Sequence, residues 1–255
     1  MDVQLKNDGG FQYIEEGEGQ TLLLLHGLFG ALSNFKEVVS YFSGSYKVIV
    51  PVLPIYTLPV LNTNVKNLAL FVRDFIIFKK LHNLILLGNS LGGHVALVYS
   101  VEFPEGIDLM VLTGSSGLYE NTFGGSYPRK GDKEYLREKI KITFYDPKYA
   151  TDALVDECHE AVNNRNKLIR ILSFAKSAIR HNMKDALPGI KIPTCLIWGE
   201  NDKITPPEVA VEFNALLPNS ELFWVEKCGH AAMMERPEEF NKILSGWLNI
   251  RTEKA

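Results

Sequence analysis

The sequence contains few cysteines, no long apolar run and no excess of positive charge. Its three cysteines, Cys158, Cys195 and Cys228, are unevenly spaced, so neither a disulfide framework nor a zinc cluster is predicted. The apolar runs are too short to span a membrane. A net charge of −3 lacks the basic excess that nucleic-acid binding needs. We therefore expect a protein that binds no membrane, no nucleic acid and no metal.

The remaining composition fits one globular catalytic domain. A chain of 255 residues with 46% hydrophobic content is long enough to bury a full core. Residues 1–8 are polar and lack the apolar segment of a secretory signal. We therefore expect a cytoplasmic protein, either a monomer or a homodimer.

Short apolar runs alternate with helical patterns along most of the chain, and this alternation predicts a parallel sheet built from β-α-β units. An early antiparallel strand is predicted at 11–15. Helices are predicted at 33–42, with Ser33 as the N-cap, and at 63–80. The other predicted strands lie at 21–25, 47–50, 83–87, 107–113, 194–198 and 220–225.

The alternation stops between residues 118 and 187. Charged helical stretches at 133–144 and 151–183 replace the strand patterns there, and strands resume at Thr194. We interpret 118–187 as a helical cap inserted after the strand at 107–113. Such a cap would fold over the carboxyl edge of the sheet, where open α/β sheets bind ligands. The core domain would then comprise residues 1–117 and 188–255.

The most informative motif is Gly88-Asn89-Ser90-Leu91-Gly92, which lies between an apolar strand and a predicted helix. A serine at such a sharp turn is lifted above the sheet with its hydroxyl exposed. A side chain at position 88 or 92 would collide across the turn. This context predicts that Ser90 is a nucleophile rather than only an N-cap.

A serine hydroxyl needs a base and an orienting acid to act as a nucleophile. His230 lies in a loop after the strand at 220–225 and is the predicted base. Asp202 follows the strand at 194–198 and is the predicted acid, which would accept the second imidazole N–H. Glu200, two residues earlier, is the alternative acid. The order Ser, Asp, His is one of the known chain orders of this triad.

The tetrahedral oxyanion formed during acyl transfer needs two preorganised donors. The backbone N–H of Leu91, at the start of the helix, is predicted to supply one. The backbone N–H of Leu28, in the loop His26-Gly27-Leu28-Phe29-Gly30 after the strand at 21–25, is predicted to supply the other. His26 is expected to brace this loop rather than to do chemistry.

Together, His26-Gly27, the Ser90 elbow, Gly199-x-x-Asp202 and Gly229-His230 resemble the α/β-hydrolase fold superfamily. The resemblance covers nearly the whole chain except its middle. It implies an eight-stranded, mostly parallel sheet flanked by helices, a Ser–Asp–His triad and no cofactor. The chain departs from many relatives after the strand at 47–50, where a Pro-rich segment replaces an Asp and a Gly-x-Gly-x-Ser loop.

The serine at the elbow predicts acyl chemistry, and the first hypothesis is a serine carboxylesterase acting on a small ester or related acyl substrate. Asn89 resembles the residue before the nucleophile in hydrolases that cleave carbon–carbon bonds of ring-fission products, which is the second hypothesis. Those enzymes usually carry tryptophan after the catalytic histidine, where this chain has Ala231. A third hypothesis is a small-molecule receptor or signalling partner that keeps the triad.

Several residues of the predicted cap are candidates for binding substrate. The aromatic candidates could equally pack the cap, and the arginine candidates for a substrate carboxylate could equally be solvated. These candidates are Tyr119, Phe123, Tyr127, Phe144 and Phe174, with Arg129, Arg137 and Arg165.

Overall fold

The computed structural model describes residues 4–29, 32–120 and 131–252. Its strands form a single sheet in the order β1-β2-β4-β3-β5-β6-β7-β8. The pairs β1/β2 and β2/β4 are antiparallel, and the other neighbours are parallel. The predicted eight-stranded, mostly parallel sheet is confirmed. The strands are β1 (Lys6–Asp8), β2 (Phe11–Glu16), β3 (Thr21–Leu25), β4 (Lys47–Pro51), β5 (Leu84–Asn89), β6 (Ile107–Thr113), β7 (Thr194–Gly199) and β8 (Ser220–Val225).

Helices cover both faces of the sheet, which explains why the central strands are apolar without alternation. Every residue of β3 and β5 is buried, as parallel strands covered on both faces should be. Two apolar clusters lie on opposite faces of the sheet, one containing α2, α3 and α7 and the other α1 and α9. The helices are α1 (Lys36–Phe42), α2 (Val65–Lys79), α3 (Leu91–Glu102), α4 (Lys133–Lys141), α5 (Asp152–Asn163), α6 (Arg165–Arg180), α7 (Pro207–Leu216), α8 (Ala232–Glu235) and α9 (Pro237–Thr252).

Two helix predictions were wrong in detail. Ser33 is not an N-cap, because Leu32–Phe35 forms a 3₁₀ turn and α1 begins only at Lys36. The helix predicted at 151–183 is two helices that meet at Asn164. The Asn164 side chain accepts hydrogen bonds from the first backbone N–H groups of α6, so it caps a new helix instead of continuing the old one.

The segment between β6 and β7 contains α4, α5 and α6 and, in the part that is described, no strand. Its two ends meet, because Met183 N donates to Gly117 O at 2.7 Å. Helix α6 lies beside the core, where Val65 N donates to Ser177 Oγ at 3.1 Å. The segment therefore leaves and re-enters the core at one place, although its assignment as a separate cap domain stays a prediction.

Candidate active site

Ser90 lies at the turn between β5 and α3, in a backbone conformation with φ +55° and ψ −122° that non-glycine residues rarely adopt. The turn is extremely tight. A Cβ atom added at Gly88 would lie 2.4 Å from Gly92 O, and one added at Gly92 would lie 2.0 Å from Leu25 O. Ser90 N donates to Thr113 O at 3.1 Å, which fixes the turn against β6. The structure therefore holds Ser90 at the carboxyl edge of the sheet, at the N-terminus of a helix.

His230 follows β8, and its ring is held by Asp202, which follows β7. The distance from His230 Nδ1 to Asp202 Oδ2 is 2.9 Å, and both residues are buried. The other carboxylate oxygen accepts from Ile204 N at 2.8 Å and Thr205 N at 3.0 Å, while Thr205 Oγ1 donates to Oδ2 at 2.8 Å. These donors hold the carboxylate facing the imidazole. Glu200, the alternative acid, is exposed to solvent.

The environment favours the protonated form of His230. Burial alone lowers the pKa of an imidazole. Here the charge of Asp202 and its hydrogen bond act in the opposite direction, Glu120 adds a smaller effect, and the net pKa of His230 is raised above its ordinary value. An imidazole that readily accepts a proton is suited to the role of general base.

The loop after β3 lies directly against the elbow. A Cβ atom added at Gly27 would lie 3.1 Å from Ser90 Cβ, so the next residue, Leu28, is adjacent to the serine. Leu28 and Leu91 both line the cavity that contains Ser90 and His230. Four of the five predicted site residues therefore line one cavity, and the fifth, Asp202, contacts the His230 ring from outside it.

His26 fixes this loop through hydrogen bonds of both its ring nitrogens. Its Nε2 accepts a hydrogen bond from Leu53 N at 3.0 Å, so its Nδ1, 2.9 Å from Gly27 O, carries the proton. Burial lowers the pKa of His26, which keeps it neutral. Leu53 belongs to the Pro-rich segment after β4, and that segment is therefore joined to the loop carrying Leu28.

The cavity has a volume of about 170 Å³. A cavity of about 150 Å³ holds a benzene molecule, so this one accommodates a small acyl group. Most of its wall comes from apolar side chains of α4 to α6 and of the loops around Ser90. The apolar residues of the wall are Leu28, Phe29, Leu91, Leu136, Ile140, Phe144, Leu154, Phe174, Ala175, Ala178, Ile204, Ala231 and Met234.

Of the predicted substrate-binding residues in the cap, some line the cavity and others lie outside it. Phe144 and Phe174 line the cavity, whereas Tyr119 is 58% exposed. Arg137 pairs with Asp152 outside the cavity, and Arg165 is exposed. The remaining candidates, Phe123, Tyr127 and Arg129, lie outside the described residues.

Some residues of the site were not predicted from the sequence. Thr205 donates two hydrogen bonds to Asp202. The sequence signal for this contact is the turn that Asp202 begins, since an aspartate in a turn commonly accepts hydrogen bonds from the backbone just after it. Ser116 and Glu120 line the cavity and share a hydrogen bond, but no local sequence signal marks them. Cys228 near His230 is fully buried, and burial raises the pKa of its thiol, which makes it a poor nucleophile.

The comparisons with known proteins agree with this architecture. The sequence profile described as the alpha/beta hydrolase family matches residues 22–243. The chain belongs to this family. A crystal structure of an alpha/beta hydrolase enzyme from a lagoon-sediment metagenome of Mar Chica, Morocco, is 47% identical. It covers 98% of this chain and 99% of its own, with a TM-score of 0.82.

Two further proteins are similar to this chain at lower sequence identity. A 2-hydroxy-6-oxo-6-phenylhexa-2,4-dienoate hydrolase from Comamonas testosteroni is 27% identical over 94% of this chain and 91% of its own length. A meta-cleavage product hydrolase from Pseudomonas fluorescens shares the fold, with a TM-score of 0.82 at 22% identity, over 94% of this chain and 95% of its own.

The described residues contain neither a cluster of metal ligands nor a helix that could span a membrane. Within 4–29, 32–120 and 131–252, no three His, Cys, Asp or Glu side chains cluster as metal ligands would. The helices of this part of the chain are all too short or too polar to cross a membrane.

Proposed function

We propose that this alpha/beta hydrolase is a serine hydrolase that cleaves small carboxylic esters or related acyl compounds through an acyl-enzyme on Ser90. The observation that carries the proposal is the shared cavity. It joins an elbow serine, a buried histidine paired with a buried carboxylate, and a small apolar space beside them. This is the combination that covalent acyl transfer requires.

The reaction would proceed in two steps. Ser90 Oγ attacks the acyl carbon and its proton passes to His230 Nε2, while Asp202 stabilises the imidazolium through Nδ1–H. The backbone N–H groups of Leu28 and Leu91 stabilise the oxyanion. The alcohol leaves with the proton from His230. A water molecule, activated by His230, then attacks the acyl-enzyme and releases the acid and Ser90.

The wall of the cavity supports a neutral acyl group as the substrate. Among the described residues that line it, Lys139 is the cation and Glu120 is the anion. Apart from the proposed catalytic histidine, the other lining residues are neutral side chains. Apolar side chains gain free energy by covering apolar substrate atoms. We therefore propose short aliphatic or single-ring esters as the substrate class, which makes the protein a carboxylesterase.

A second candidate is carbon–carbon bond hydrolysis of ring-fission products. It is supported by relatives such as the dienoate hydrolase of Comamonas testosteroni and by Asn89 before the nucleophile. In this structure Asn89 Nδ2 donates to Thr113 O at 3.0 Å, so the side chain supports the elbow. A dienoate carries a carboxylate, for which Lys139 is the available cation among the described cavity residues.

The experiment that separates these candidates is a substrate panel. Purified protein is assayed with p-nitrophenyl esters of rising chain length and with 2-hydroxy-6-oxo-6-phenylhexa-2,4-dienoate, and a fluorophosphonate label is located by mass spectrometry. Steady turnover of short esters with one adduct on Ser90, both lost in Ser90→Ala, supports the esterase. Preference for the dienoate supports carbon–carbon hydrolysis. Tight ligand retention without repeated turnover supports the third hypothesis, a receptor.

The state of the three cysteine thiols supports a proposal for the cellular location. Cys158, Cys195 and Cys228 are all free and buried. Free thiols are typical of reducing compartments, and we propose that the enzyme works in the cytoplasm.

A further inference from the structure

Glu235 is a buried acidic residue outside the catalytic set. It ends α8, lies five residues after His230 and is only 3% exposed. Its carboxylate accepts three backbone hydrogen bonds: Oε2 accepts from Gly229 N at 2.7 Å and Tyr145 N at 3.1 Å, and Oε1 accepts from Asp146 N at 2.6 Å. A carboxylate accepts at both oxygens and donates at neither, so it can satisfy all three donors at once.

These bonds connect the histidine loop to a distant part of the chain, residues 143–149, which follow α4. Two further hydrogen bonds join the same two regions. His230 N donates to Thr143 O at 2.7 Å, and Tyr149 Oη donates to Glu235 O at 2.9 Å. The backbone N–H of the proposed catalytic base is therefore held by segment 143–149 directly, and its neighbour Gly229 is held by Glu235.

The two backbones are also in direct contact. A Cβ atom added at Gly229 would lie 2.5 Å from Thr143 O and 2.8 Å from Phe144 Cα. Glycine is thus the residue that permits this approach. Phe144 and Thr143 both line the cavity. The segment that holds the histidine loop therefore also forms part of the wall that contacts substrate.

We infer that Glu235 is a positioning residue, which fixes segment 143–149 to the histidine loop and thereby places the His230 ring between Asp202 and Ser90. Asp202 restrains one ring nitrogen, but the position of the ring also depends on its backbone, which the Glu235 bonds hold. The inference rests on the proposed function, since it assigns to His230 the role of base.

Two substitutions of different severity test the inference. In Glu235→Gln the amide oxygen can still serve Gly229 and Tyr145, while the amide N–H₂ faces the N–H of Asp146. We expect kcat to fall roughly tenfold, as for one lost hydrogen bond to a charged group. Glu235→Ala loses all three bonds, and we expect a fall of about 10²-fold, as for a catalytic group displaced by about 1 Å. KM should change little in Glu235→Gln, because the apolar wall is kept.

Two readouts distinguish positioning from a contribution to stability alone. The first is kcat per active site, titrated with fluorophosphonate, over a range of pH. The second is the proton NMR signal of His230 Nδ1–H, which hydrogen bonding to Asp202 shifts downfield and which does not require turnover. Asp132→Ala is the matched control, because Asp132 accepts from Tyr135 N at the start of α4 and lies outside the cavity.

The inference predicts that both Glu235 variants lose kcat and move the His230 signal, while Asp132→Ala changes neither. If the Glu235 variants lower the melting temperature but keep the kcat, pH profile and His230 signal of the unchanged protein, the inference is overturned. If Glu235→Ala does not fold, Glu235→Gln alone decides between these outcomes. Absence of turnover and of labelling in the unchanged protein would instead reject the proposed function, and the NMR signal would still test the coupling.

Discussion

The cavity has two sides that are held in different ways. On one side, Ser90, Asp202 and His230 lie in the turns or loops that follow β5, β7 and β8, and hydrogen bonds to the backbone help to fix them. On the other side, α4 to α6 present mainly apolar side chains such as Phe174 and Ile140. Hydrogen bonds are directional and fix positions closely, whereas apolar contacts tolerate changes of shape.

This difference indicates which functional property a substitution on each side should change. A change on the hydrogen-bonded side should alter the rate of the chemical step. A change on the apolar side should alter which acyl group is accepted. Segment 143–149 is the exception, because it contributes Phe144 to the apolar wall and also holds the backbone of His230. Substitutions on the two sides of the cavity should therefore have different effects on turnover and on substrate preference.

Asp202→Asn is expected to reduce kcat with a short ester by up to about 10⁴-fold, because the asparagine stabilises the wrong imidazole tautomer. Glu200→Gln is the matched control: Glu200 is also acidic and lies two residues away, but it is exposed. Its kcat should stay within roughly twofold, as for ordinary surface substitutions. Steady-state kinetics of the two variants measure both values. A larger loss in Glu200→Gln would mean that the acid has been misassigned.

The pH dependence of kcat/KM should reflect the raised pKa of His230. The base is active when neutral, so activity should fall with decreasing pH, with a midpoint above the ordinary value of 6.5. In Asp202→Asn the charge that raises the pKa is removed and burial, which lowers it, remains. The midpoint of the residual activity should then move to lower pH. Unchanged midpoints in the two proteins would contradict the assigned pairing.

The sequence predicted the hydrogen-bonded side of the cavity better than the apolar side, and the reason is physical. Ser90 and its two glycines lie together in the sequence next to an apolar run, so local constraints reveal the elbow. The strand β1 was missed, because its three residues are polar and exposed and it is defined only by pairing with β2. The break at Asn164 was missed because the helical pattern continues on both sides of it.

The role of Glu235 depends on contacts that are remote in the sequence. Two of the backbone groups that it binds belong to Tyr145 and Asp146, about 90 residues earlier. No local pattern encodes this distance. The same holds for the division of the aromatic candidates, since Phe144 and Tyr119 look alike in the sequence but one lines the cavity and the other is exposed. The remote contacts that complete the site had to be read from the fold.

Phe174→Leu is expected to change acyl preference without a large loss of turnover. Phe174 is fully buried and lines the cavity, so a smaller side chain makes room for a longer acyl chain. The ratio of kcat/KM for a hexanoate ester over an acetate ester should rise about tenfold, the lower range for one extra methylene in an apolar pocket.

Phe213→Leu is the matched control for this prediction. Phe213 is also fully buried, but it lies in α7 and packs against Trp198 away from the cavity. Both variants should lose stability, because each removes buried ring atoms. Only Phe174→Leu should change the ratio of the two esters. An equal change in both variants would show that general loosening of the core, rather than the wall, sets the preference.

The smallest effect on turnover is expected at the contact between α3 and α6. His94 is fully buried and its Nε2 lies 3.1 Å from Nδ1 of His181. Burial lowers the pKa of His94 to about 3, and His181 adds to this effect. Burial, together with the charge of Lys66, also lowers the pKa of His181, while Glu102 acts in the opposite direction.

A histidine whose pKa is lowered by folding binds fewer protons in the native state than in the unfolded state. Stability is therefore retained above pH 6.5 and lost as the pH falls below it. For His94 the loss of stability between pH 7 and pH 5 amounts to about 2 kcal/mol.

His94→Gln removes this titration while keeping a group that can hydrogen bond to His181. Urea unfolding at both pH values should show a smaller decrease in the variant, with kcat at pH 7 unchanged, because His94 does not line the cavity. An equal decrease in both proteins would show that His94 is not the source of the acid sensitivity, and that the contact between α3 and α6 contributes to packing alone.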